Sequence, residues 1–250
     1  MFNRPYVAAT LLAALALLPA APAFAAGETL ITHAKAFAGN VTPGDAAGYP
    51  ITISIPGSFE LASNLFVAAD KIGIQVISPY VTIDLNGFLM QGSNVAWYGI
   101  AGGVNSVIIT NGIIAQFEFD GIVSSGNRWV VERMQVLDNG RHGIVLNSSD
   151  HRVHDNTVVG NDDDGIRCLY CIVSGNVVAD NGRYGIFAQG GGATVLGNHI
   201  SDNSDYGLVT GTAGAGFAQN TLFSNNGGAA GDQVQFTPAL HPNICHNVTC

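Results

Sequence analysis

The chain repeats a Gly-Ile or Gly-Leu pair at intervals of 22 residues, with one interval of 20. The pair begins at Gly99, Gly121, Gly143, Gly165, Gly185 and Gly207. Aligning these glycines also aligns three aliphatic columns, which are Ile100, Ile122, Ile144, Ile166, Ile186 and Leu208; Ile109, Val131, Val153, Val173 and Val195; and Ile114, Val136, Val158, Val178 and Ile200. Each column lies in a short β-branched run with alternating neighbours, which predicts three strands per repeat. Repeats of this length predict a solenoid, in which each coil buries the apolar side chains of the next.

Two columns of asparagine share the same period. They comprise Asn156, Asn176, Asn198 and Asn220, and Asn139, Asn161, Asn181, Asn203 and Asn225. Asparagine tolerates the left-handed backbone of a sharp corner, and stacked amides can hydrogen-bond to the copies above and below. Three strands and polar corners per repeat predict an all-β fold. We expect a single-stranded parallel β-helix of about seven rungs of 20–26 residues, capped at both ends.

The repeats resemble a known family. The pattern from Gly175 to Ile186, which recurs from Gly197 to Leu208, resembles the right-handed parallel β-helix repeat of pectin-lyase-like proteins. The segment from Val81 to Phe88 resembles the entry rung common in exported bacterial members. The resemblance covers residues 51–226 and implies a right-handed coil. It implies no single activity, because this fold hosts polysaccharide lyases, hydrolases, uronate epimerases and adhesins.

The N-terminus explains part of the positive mean hydropathy of +0.28. Residues 1–25 contain one cation, Arg4, then an apolar run from Val7 to Leu18, and end in the small-residue motif Ala23-Phe24-Ala25. This order predicts a secretory signal peptide. The apolar run is too short to span a bilayer comfortably, and no later segment offers 18 uninterrupted apolar residues. We therefore expect a secreted, periplasmic or cell-envelope protein with no transmembrane segment after signal removal.

The rest of the chain divides into three predicted parts. Residues 26–70 form an N-terminal cap with entry strands, residues 71–232 the β-helix repeats, and residues 233–250 a disulfide-bearing tail. Once Arg4 is removed with the signal peptide, 8 basic residues face 18 acidic ones, a formal charge of −10. Because such a surface repels phosphate backbones, we expect no nucleic-acid partner.

Four cysteines remain in the exported part, namely Cys168, Cys171, Cys245 and Cys250. An even count in an oxidising compartment favours disulfides. The simplest of the three possible connectivities joins the close pairs, Cys168 with Cys171 and Cys245 with Cys250. A redox or zinc role for the CxxC pair is the alternative, although no thioredoxin-like βαβ pattern surrounds it.

The positions just before the repeat glycine carry the candidate chemistry. Equivalent positions of a β-helix stack about 5 Å apart. One row, directly before the repeat glycine, comprises Tyr98, Asp120, His142, Asp164, Tyr184 and Tyr206. A second row, one position earlier, comprises Phe119, Arg141, Asp163, Arg183 and Asp205. His142 is thus predicted to lie between two carboxylates, Asp120 and Asp164. We expect these three to be the catalytic group, because carboxylates raise the pKa of an imidazole and prepare it for acid or base catalysis.

The same rows also contain candidate ligand-binding groups. Arginine binds the carboxylate of a uronate and tyrosine rings can stack on sugar faces, which predicts substrate contacts from Tyr98, Arg141, Arg183, Tyr184 and Tyr206. The carboxylates of Asp163 and Asp164 could hold Ca²⁺, and no other cofactor is indicated. The alternative interpretation is a solvated corner, whose charges alternate only to avoid repulsion between rungs.

A second candidate cluster lies on another face. Glu132 and His154 are predicted to be neighbours on successive rungs, with Arg133 beside Asp155. Two ion pairs between rungs would explain the same residues without any binding function.

Two functions fit this sequence. The leading hypothesis is an exported protein that interacts with carbohydrate, with a lyase or epimerase activity on uronate-rich polysaccharide. The alternative is a non-catalytic structural or adhesive solenoid that contacts protein or the cell envelope. An outward column of mostly apolar residues, Ala101, Val123, Val145, Arg167, Phe187 and Val209, supplies a candidate face for an oligomer.

Overall fold

The computed structural model describes residues 27–211, 215–228, 233–235, 243–245 and 248–249. The predicted signal peptide and Cys250 lie outside these residues, as does the side chain of Cys245. In the part that is described, no helix has the length and apolarity needed to cross a bilayer.

Short strands make up nearly all of the regular structure. In chain order the elements are β1 (Thr29–Ile31), α1 (His33–Ala38), β2 (Ile51–Ile53), β3 (Gly57–Leu61), β4 (Leu65–Phe66), β5 (Ile72–Val76), β6 (Val81–Asp84), β7 (Leu89–Gln91), β8 (Tyr98–Gly102), β9 (Val107–Ala115), β10 (Ile122–Ser124), β11 (Val130–Leu137), β12 (Ile144–Leu146), β13 (His151–His154), β14 (Thr157–Val159), β15 (Ile166–Leu169), β16 (Cys171–Ser174), β17 (Val177–Ala179), β18 (Ile186–Gln189), β19 (Thr194–Leu196), β20 (His199–Ser201), β21 (Leu208–Thr210), β22 (Gly216–Ala218), β23 (Thr221–Phe223), β24 (Val234–Gln235), β25 (Ile244–Cys245) and β26 (Val248–Thr249). A 3-10 turn follows β23 at Asn226–Gly228.

The strands stack into a right-handed parallel β-helix. One sheet has nine strands in the order β2, β5, β8, β10, β12, β15, β18, β21 and β24, so each pairs with its equivalent one coil later. Nine stacked strands correspond to about eight turns, close to the seven predicted. The other two columns join into a 17-stranded sheet, because β9 and β11 continue through the corner between them.

The register confirms all three apolar columns. Ile122 pairs with Ile144, Val131 with Val153 and Val136 with Val158, each across one coil. Every member of the three columns is fully buried. The core is therefore three parallel stacks of aliphatic side chains inside the coil, and the β-branched residues fill it because they pack well on a pleated surface.

The asparagine columns form two internal ladders. In one, amide-to-amide distances are 2.8–2.9 Å along Asn139, Asn161, Asn181, Asn203, Asn225 and Gln233. In the other, they are 2.9–3.0 Å along Asn156, Asn176, Asn198, Asn220 and Asn243. The asparagines are buried, and each amide also bonds to backbone groups, so the corners enclose no unpaired donor there.

The sequence predicted that the asparagine takes the left-handed backbone conformation of these corners. In the structure the asparagine does not take it. The left-handed residue is the one before the asparagine, such as Asp138, Asp180 or Gly160. The asparagine instead turns its side chain inward, where it accepts from a backbone N–H of the preceding coil.

Additional strands pair at both ends of the solenoid. At the first coil, β1 pairs in parallel with β3 and the short helix α1 follows it. At the last, β25 pairs in parallel with β23 and antiparallel with β26. These pairings occupy strand edges that would otherwise be open to other chains.

The predicted disulfide between Cys168 and Cys171 is present. It joins the end of β15 to the start of β16 across the corner, in the coil that is two residues shorter than its neighbours. Both residues are buried, which fits a structural staple rather than an exposed redox pair. The second predicted bond, between Cys245 and Cys250, falls on groups outside the described residues.

Adjacent valines in β17 test the predicted core. Val178 is fully buried in its column, whereas Val177 points outward and is 42% exposed. Val178→Asp should lower the free energy of unfolding by several kcal/mol, about 3 or more, because a carboxylate enters a dry interior. Val177→Asp should change it by about 0.5 kcal/mol or less. Urea denaturation of both variants gives the comparison, and equal effects would contradict the register.

Candidate functional site

The corner that leads into the nine-stranded sheet carries the predicted site. Backbone N–H groups of this corner donate to the next or the preceding coil, as from Arg141 to Phe119 and from Asp163 to Arg141. The outer row is Lys71, Trp97, Phe119, Arg141, Asp163, Arg183 and Asp205, and the inner row is Tyr98, Asp120, His142, Asp164, Tyr184 and Tyr206. The stacking brings together the residues that the sequence placed there.

Asp120 is fully buried beneath Arg141. The guanidinium contacts the two carboxylate oxygens through Nε at 3.0 Å and an Nη at 3.1 Å. The backbone N–H of His142 also donates to Asp120, at 3.2 Å. Burial raises the pKa of the Asp120 carboxyl, and the Arg141 charge partly offsets that increase. Asp120 therefore positions Arg141 and has no open face toward a substrate.

His142 is buried between the two carboxylate levels. Its Nδ1 accepts the backbone N–H of Asp164 at 3.1 Å, so the lone pair of that nitrogen is occupied. Its Nε2 lies 3.6 Å from Asp163. In the neutral ring the proton then sits on Nε2, which faces Asp163 as a donor.

The expected rise in the pKa of His142 is wrong. Burial is the largest of the causes that together lower this pKa to about 4; Asp163 opposes it, and the charges of Arg141, Arg167 and Arg183 act in the same direction as burial. The nearby carboxylates are evident from the sequence, whereas the loss of water around the ring and the approach of three guanidinium groups arise only on folding. His142 is therefore uncharged at neutral pH.

Two arginines face Asp163 and Asp164, and only Arg183 lies near both carboxylates. Arg167 donates to Oδ2 of Asp164 at 3.2 Å. Arg183 lies 3.7 Å from Asp163 and 3.8 Å from Asp164, distances of ion pairs rather than hydrogen bonds. Oδ1 of the buried Asp164 has no hydrogen-bond donor among the described groups. Burial and the Asp163 charge raise the pKa of Asp164, and the arginines oppose them.

The predicted Ca²⁺ site can be compared with this arrangement. His142, Asp163 and Asp164 offer ligand atoms that all lie within 4.8 Å of one another. However, three guanidinium groups already face the three carboxylates of Asp120, Asp163 and Asp164. Because the cluster is balanced in charge without a metal, it fits a divalent cation poorly.

Aromatic rings support the exposed arginines. The guanidinium carbon of Arg183 lies 4.2 Å from the ring centre of Tyr184, and that of Arg167 lies 4.5 Å from the ring centre of Phe187. Tyr184 also stacks on Phe187, with ring centres 5.7 Å apart. Cation–π contact and ring stacking hold both cations at the surface in fixed positions.

The remaining predicted tyrosines extend this surface at its two ends. Tyr206 lies 6.3 Å from Tyr184, and Tyr98 lies 5.4 Å from Phe119, measured between ring centres. Three residues were missed as binding candidates, namely Trp97, Arg167 and Phe187. The row alignment places Trp97 two residues before Gly99, so the repeat itself could have identified it. Arg167 and Phe187 had been assigned to an apolar strip.

That strip is less open than expected. Ala101, Val145 and Val209 are 8%, 2% and 3% exposed. A face with half of its members buried offers little apolar area to another copy of the chain. The predicted oligomer therefore remains a prediction without support from this surface.

The second candidate cluster is an ion-pair network. His154 lies 3.1 Å from Glu132 and 2.9 Å from Asp155. Arg133 pairs with Glu132 and donates to Thr110 at 2.9 Å. Of the two ion pairs expected between rungs, Glu132 with His154 is formed, whereas Arg133 pairs with Glu132 of its own strand and Asp155 with the adjacent His154.

Comparisons with known proteins agree with the fold. The family model for the right handed beta helix region matches residues 73–226. Among curated protein sequences, none matches the chain.

Two similar solved structures are A-modules of mannuronan C-5 epimerases from Azotobacter vinelandii. The AlgE4 module is 17% identical, with a TM-score of 0.57 over 84% of this chain and 70% of its own. The AlgE6 module is 18% identical, with a TM-score of 0.61 over 76% of this chain and 59% of its own. At these identities the likeness extends to the fold alone.

The depressed pKa of His142 predicts a loss of stability in mild acid. The folded state holds the ring neutral down to a pH of about 4, whereas the unfolded chain protonates near 6.5. Stability is therefore fully present above pH 6.5 and falls as the pH drops through this window, by about 3 kcal/mol at most. His151, whose pKa burial also lowers to about 4, acts in the same direction. Asp120 and Asp164, with raised pKa values, act in the opposite direction.

Urea denaturation between pH 7 and pH 4 measures this dependence. His142→Gln should lose part of the acid-induced decrease in unfolding free energy, and His151→Gln should lose a second, additive part. A variant with the full decrease of the parent would contradict the assignment for that histidine.

Proposed function

We propose that this chain, which belongs to the right-handed β-helix family, binds an acidic polysaccharide along the arginine surface, defined here by Arg141, Arg167 and Arg183 with the rings of Tyr184 and Phe187. The observation that carries the proposal is the exposure and the hydrogen bonding of the Arg183 side chain. Its side chain is 44% exposed and stands beyond hydrogen-bond distance of both neighbouring carboxylates. One of its N–H groups donates to the Tyr184 hydroxyl at 3.3 Å. The other N–H groups, which have no hydrogen-bond acceptor among the described residues, can bind a ligand carboxylate.

The geometry suits a uronate chain in two further respects. The arginines come from successive coils, about 4.8 Å apart along the axis, which is close to the repeat of a linear sugar chain. The stacked rings of Tyr184 and Phe187 beside them offer an apolar face for the sugar C–H groups. One apolar platform thus lies beside the three cations.

The structural comparison supports the same ligand class. The two similar A-modules are named for action on mannuronan, which is an acidic polysaccharide. We extend only the ligand class, a linear uronate polymer, to the present chain. The charge of each repeat unit is what the three arginines would recognise.

A lyase or epimerase activity is the second candidate function. Either reaction begins with removal of the proton next to the uronate carboxylate and needs a base with a free lone pair. His142 does not offer one, because its Nδ1 accepts from Asp164 and its Nε2 carries the proton. We therefore assign His142 a positioning role, in which it separates the charged levels of Asp120 and Asp164.

We also propose that the protein acts outside the cytoplasm. The disulfide between Cys168 and Cys171 supports this location, because such bonds persist in oxidising compartments. The predicted signal peptide agrees with the same location.

Binding is tested by calorimetric titration with oligomannuronate and oligogalacturonate. Arg183→Gln should weaken binding at least about tenfold, since it removes a charge-assisted contact. Tyr184→Ala should weaken it by a similar factor through loss of the support under Arg183. Lys35→Gln, which removes one positive charge from helix α1, should leave the affinity within about twofold of the parent.

Two results would contradict the binding proposal. One is equal affinity of the parent and Arg183→Gln. The other is an equal loss in Lys35→Gln, which would indicate attraction by overall charge rather than a site.

Catalysis is tested on the same polymers by following the absorbance of unsaturated uronate and, for epimerisation, the ratio of the two epimers by NMR. We expect no turnover from the parent. If turnover is found, equal rates in the parent and His142→Ala would confirm that His142 is not the base, and a rate loss of about 100-fold or more would overturn that conclusion.

A further inference from the structure

We propose that a second corner of the solenoid, at the other edge of the nine-stranded sheet, binds a neutral linear oligosaccharide. This corner joins the nine-stranded sheet to the next column of strands. Its row, called here the tyrosine corner, consists of Tyr80, Ser106, Arg128, Asp150, Tyr170 and Gly192 on successive coils. It shares no residue with the arginine surface.

Two adjoining cavities lie along the tyrosine corner. One, of about 350 Å³, is lined by Tyr80, Thr82, Ser106, Ile108 and Arg128 among others. The second, of about 260 Å³, is lined by Asp150, Arg152, Tyr170, Ile172 and Gly192 among others. The coils of Arg128 and Asp150 are hydrogen-bonded neighbours, since Val130 pairs with Arg152. The two cavities therefore lie on neighbouring coils, one after the other along the axis, and are called here the groove.

The second cavity comes from the shortened coil. The corner that ends at Tyr170 has two residues fewer than the corners of the coils on either side, and the disulfide between Cys168 and Cys171 closes it. The Tyr170 ring lies against Gly190, where an added Cβ would stand 2.6 Å from the ring. A glycine at that position is thus required for the ring to take its place in the groove.

Backbone conformation gives an independent indication of function. Tyr80 and Tyr170 have φ values of 60° and 44°, and they are the only aromatic residues with positive φ in the described part of the chain. Every residue of this row has positive φ, so the corner itself requires the conformation, and glycine takes it without strain, as Gly192 does. Their side chains are nevertheless 70% and 53% exposed. Strained tyrosines whose rings are largely in water contribute little to stability, which points to a use of the rings in binding.

The chemistry of the groove favours a neutral glycan. The two tyrosines stand four coils apart, about 19 Å along the axis, and could stack on sugar rings at either end of a short chain. Between them, Ser106, Arg128, Asp150 and Arg152 provide both hydrogen-bond donors and acceptors, as sugar hydroxyls require. The negative charge of Asp150, at the centre of the groove, would repel a polyanionic ligand.

A peptide strand fits less well. Peptides that add to β-sheets need unpaired backbone edges. Here the strands on both sides of the groove are hydrogen-bonded to the coils above and below them. Recognition must therefore come from side chains, which suits a saccharide.

The test uses the full chain and three probes of known composition, cellopentaose, β-1,4-mannopentaose and chitopentaose, in calorimetric titrations. We expect at least one of them to bind. Tyr170→Gly should weaken that binding at least about tenfold through loss of ring stacking. The same substitution should maintain or raise the melting temperature, since glycine relieves the left-handed strain.

The control is Asp180→Gly, which replaces another left-handed residue at a different corner. It should leave the oligosaccharide affinity unchanged. Arg183→Gln should likewise leave it unchanged, while Tyr170→Gly should leave oligouronate binding unchanged. The two binding proposals can therefore be rejected independently of each other.

Three outcomes would overturn this proposal. The first is that none of the three probes binds the parent. The second is equal affinity of the parent and Tyr170→Gly. The third is loss of binding in Arg183→Gln instead, which would place the neutral glycan on the arginine surface.

Discussion

Hydrogen bonding between successive coils is the constraint on which the rest of this structure depends. Each strand pairs with its equivalent one coil later and in the same register, as Ile144 does with Ile166 and Val153 with Val173. A fixed register places every repeated position directly above its copy, about 4.8 Å away. A column of valines then becomes a dry core, and a column of asparagines becomes a ladder. A shift of one residue in any coil would turn its apolar side chains outward.

The same stacking creates an electrostatic problem at the corners. Identical charges on successive coils would repel one another, and the chain avoids this by alternating Arg141, Asp163, Arg183 and Asp205. The inner row adds carboxylates that are fully buried, and each is paired with an arginine. The result is a compact group of three acids and three bases around an uncharged His142. The guanidinium groups of Arg141 and Arg183 project from it into solvent, with side chains that are 46% and 44% exposed.

The corners are where the chain departs from strict repetition, because the strands between them are held by both neighbours. One corner concentrates charge and the other concentrates exposed tyrosine. The shortened coil at Tyr170 illustrates how little is needed to make a cavity, since two missing residues and a disulfide leave a recess between longer corners. Both proposed binding surfaces run parallel to the axis, since stacking makes equivalent side chains on the surface recur in that direction.

The sequence by itself determined the fold, its register and the membership of each row. A period of 22 residues allows only one alignment of Ile122 with Ile144, and everything that stacks could be derived from it. It also placed His142 between Asp120 and Asp164 correctly.

The direction in which each side chain points, and the water it loses, were decided by the tertiary structure alone. Arg167, assigned from its column to an apolar strip, turns back to Asp164, three residues earlier. Burial lowers the pKa of His142, which the neighbouring carboxylates alone would raise. Desolvation depends on every group packed around an atom, and a list of neighbours along the chain does not contain that information.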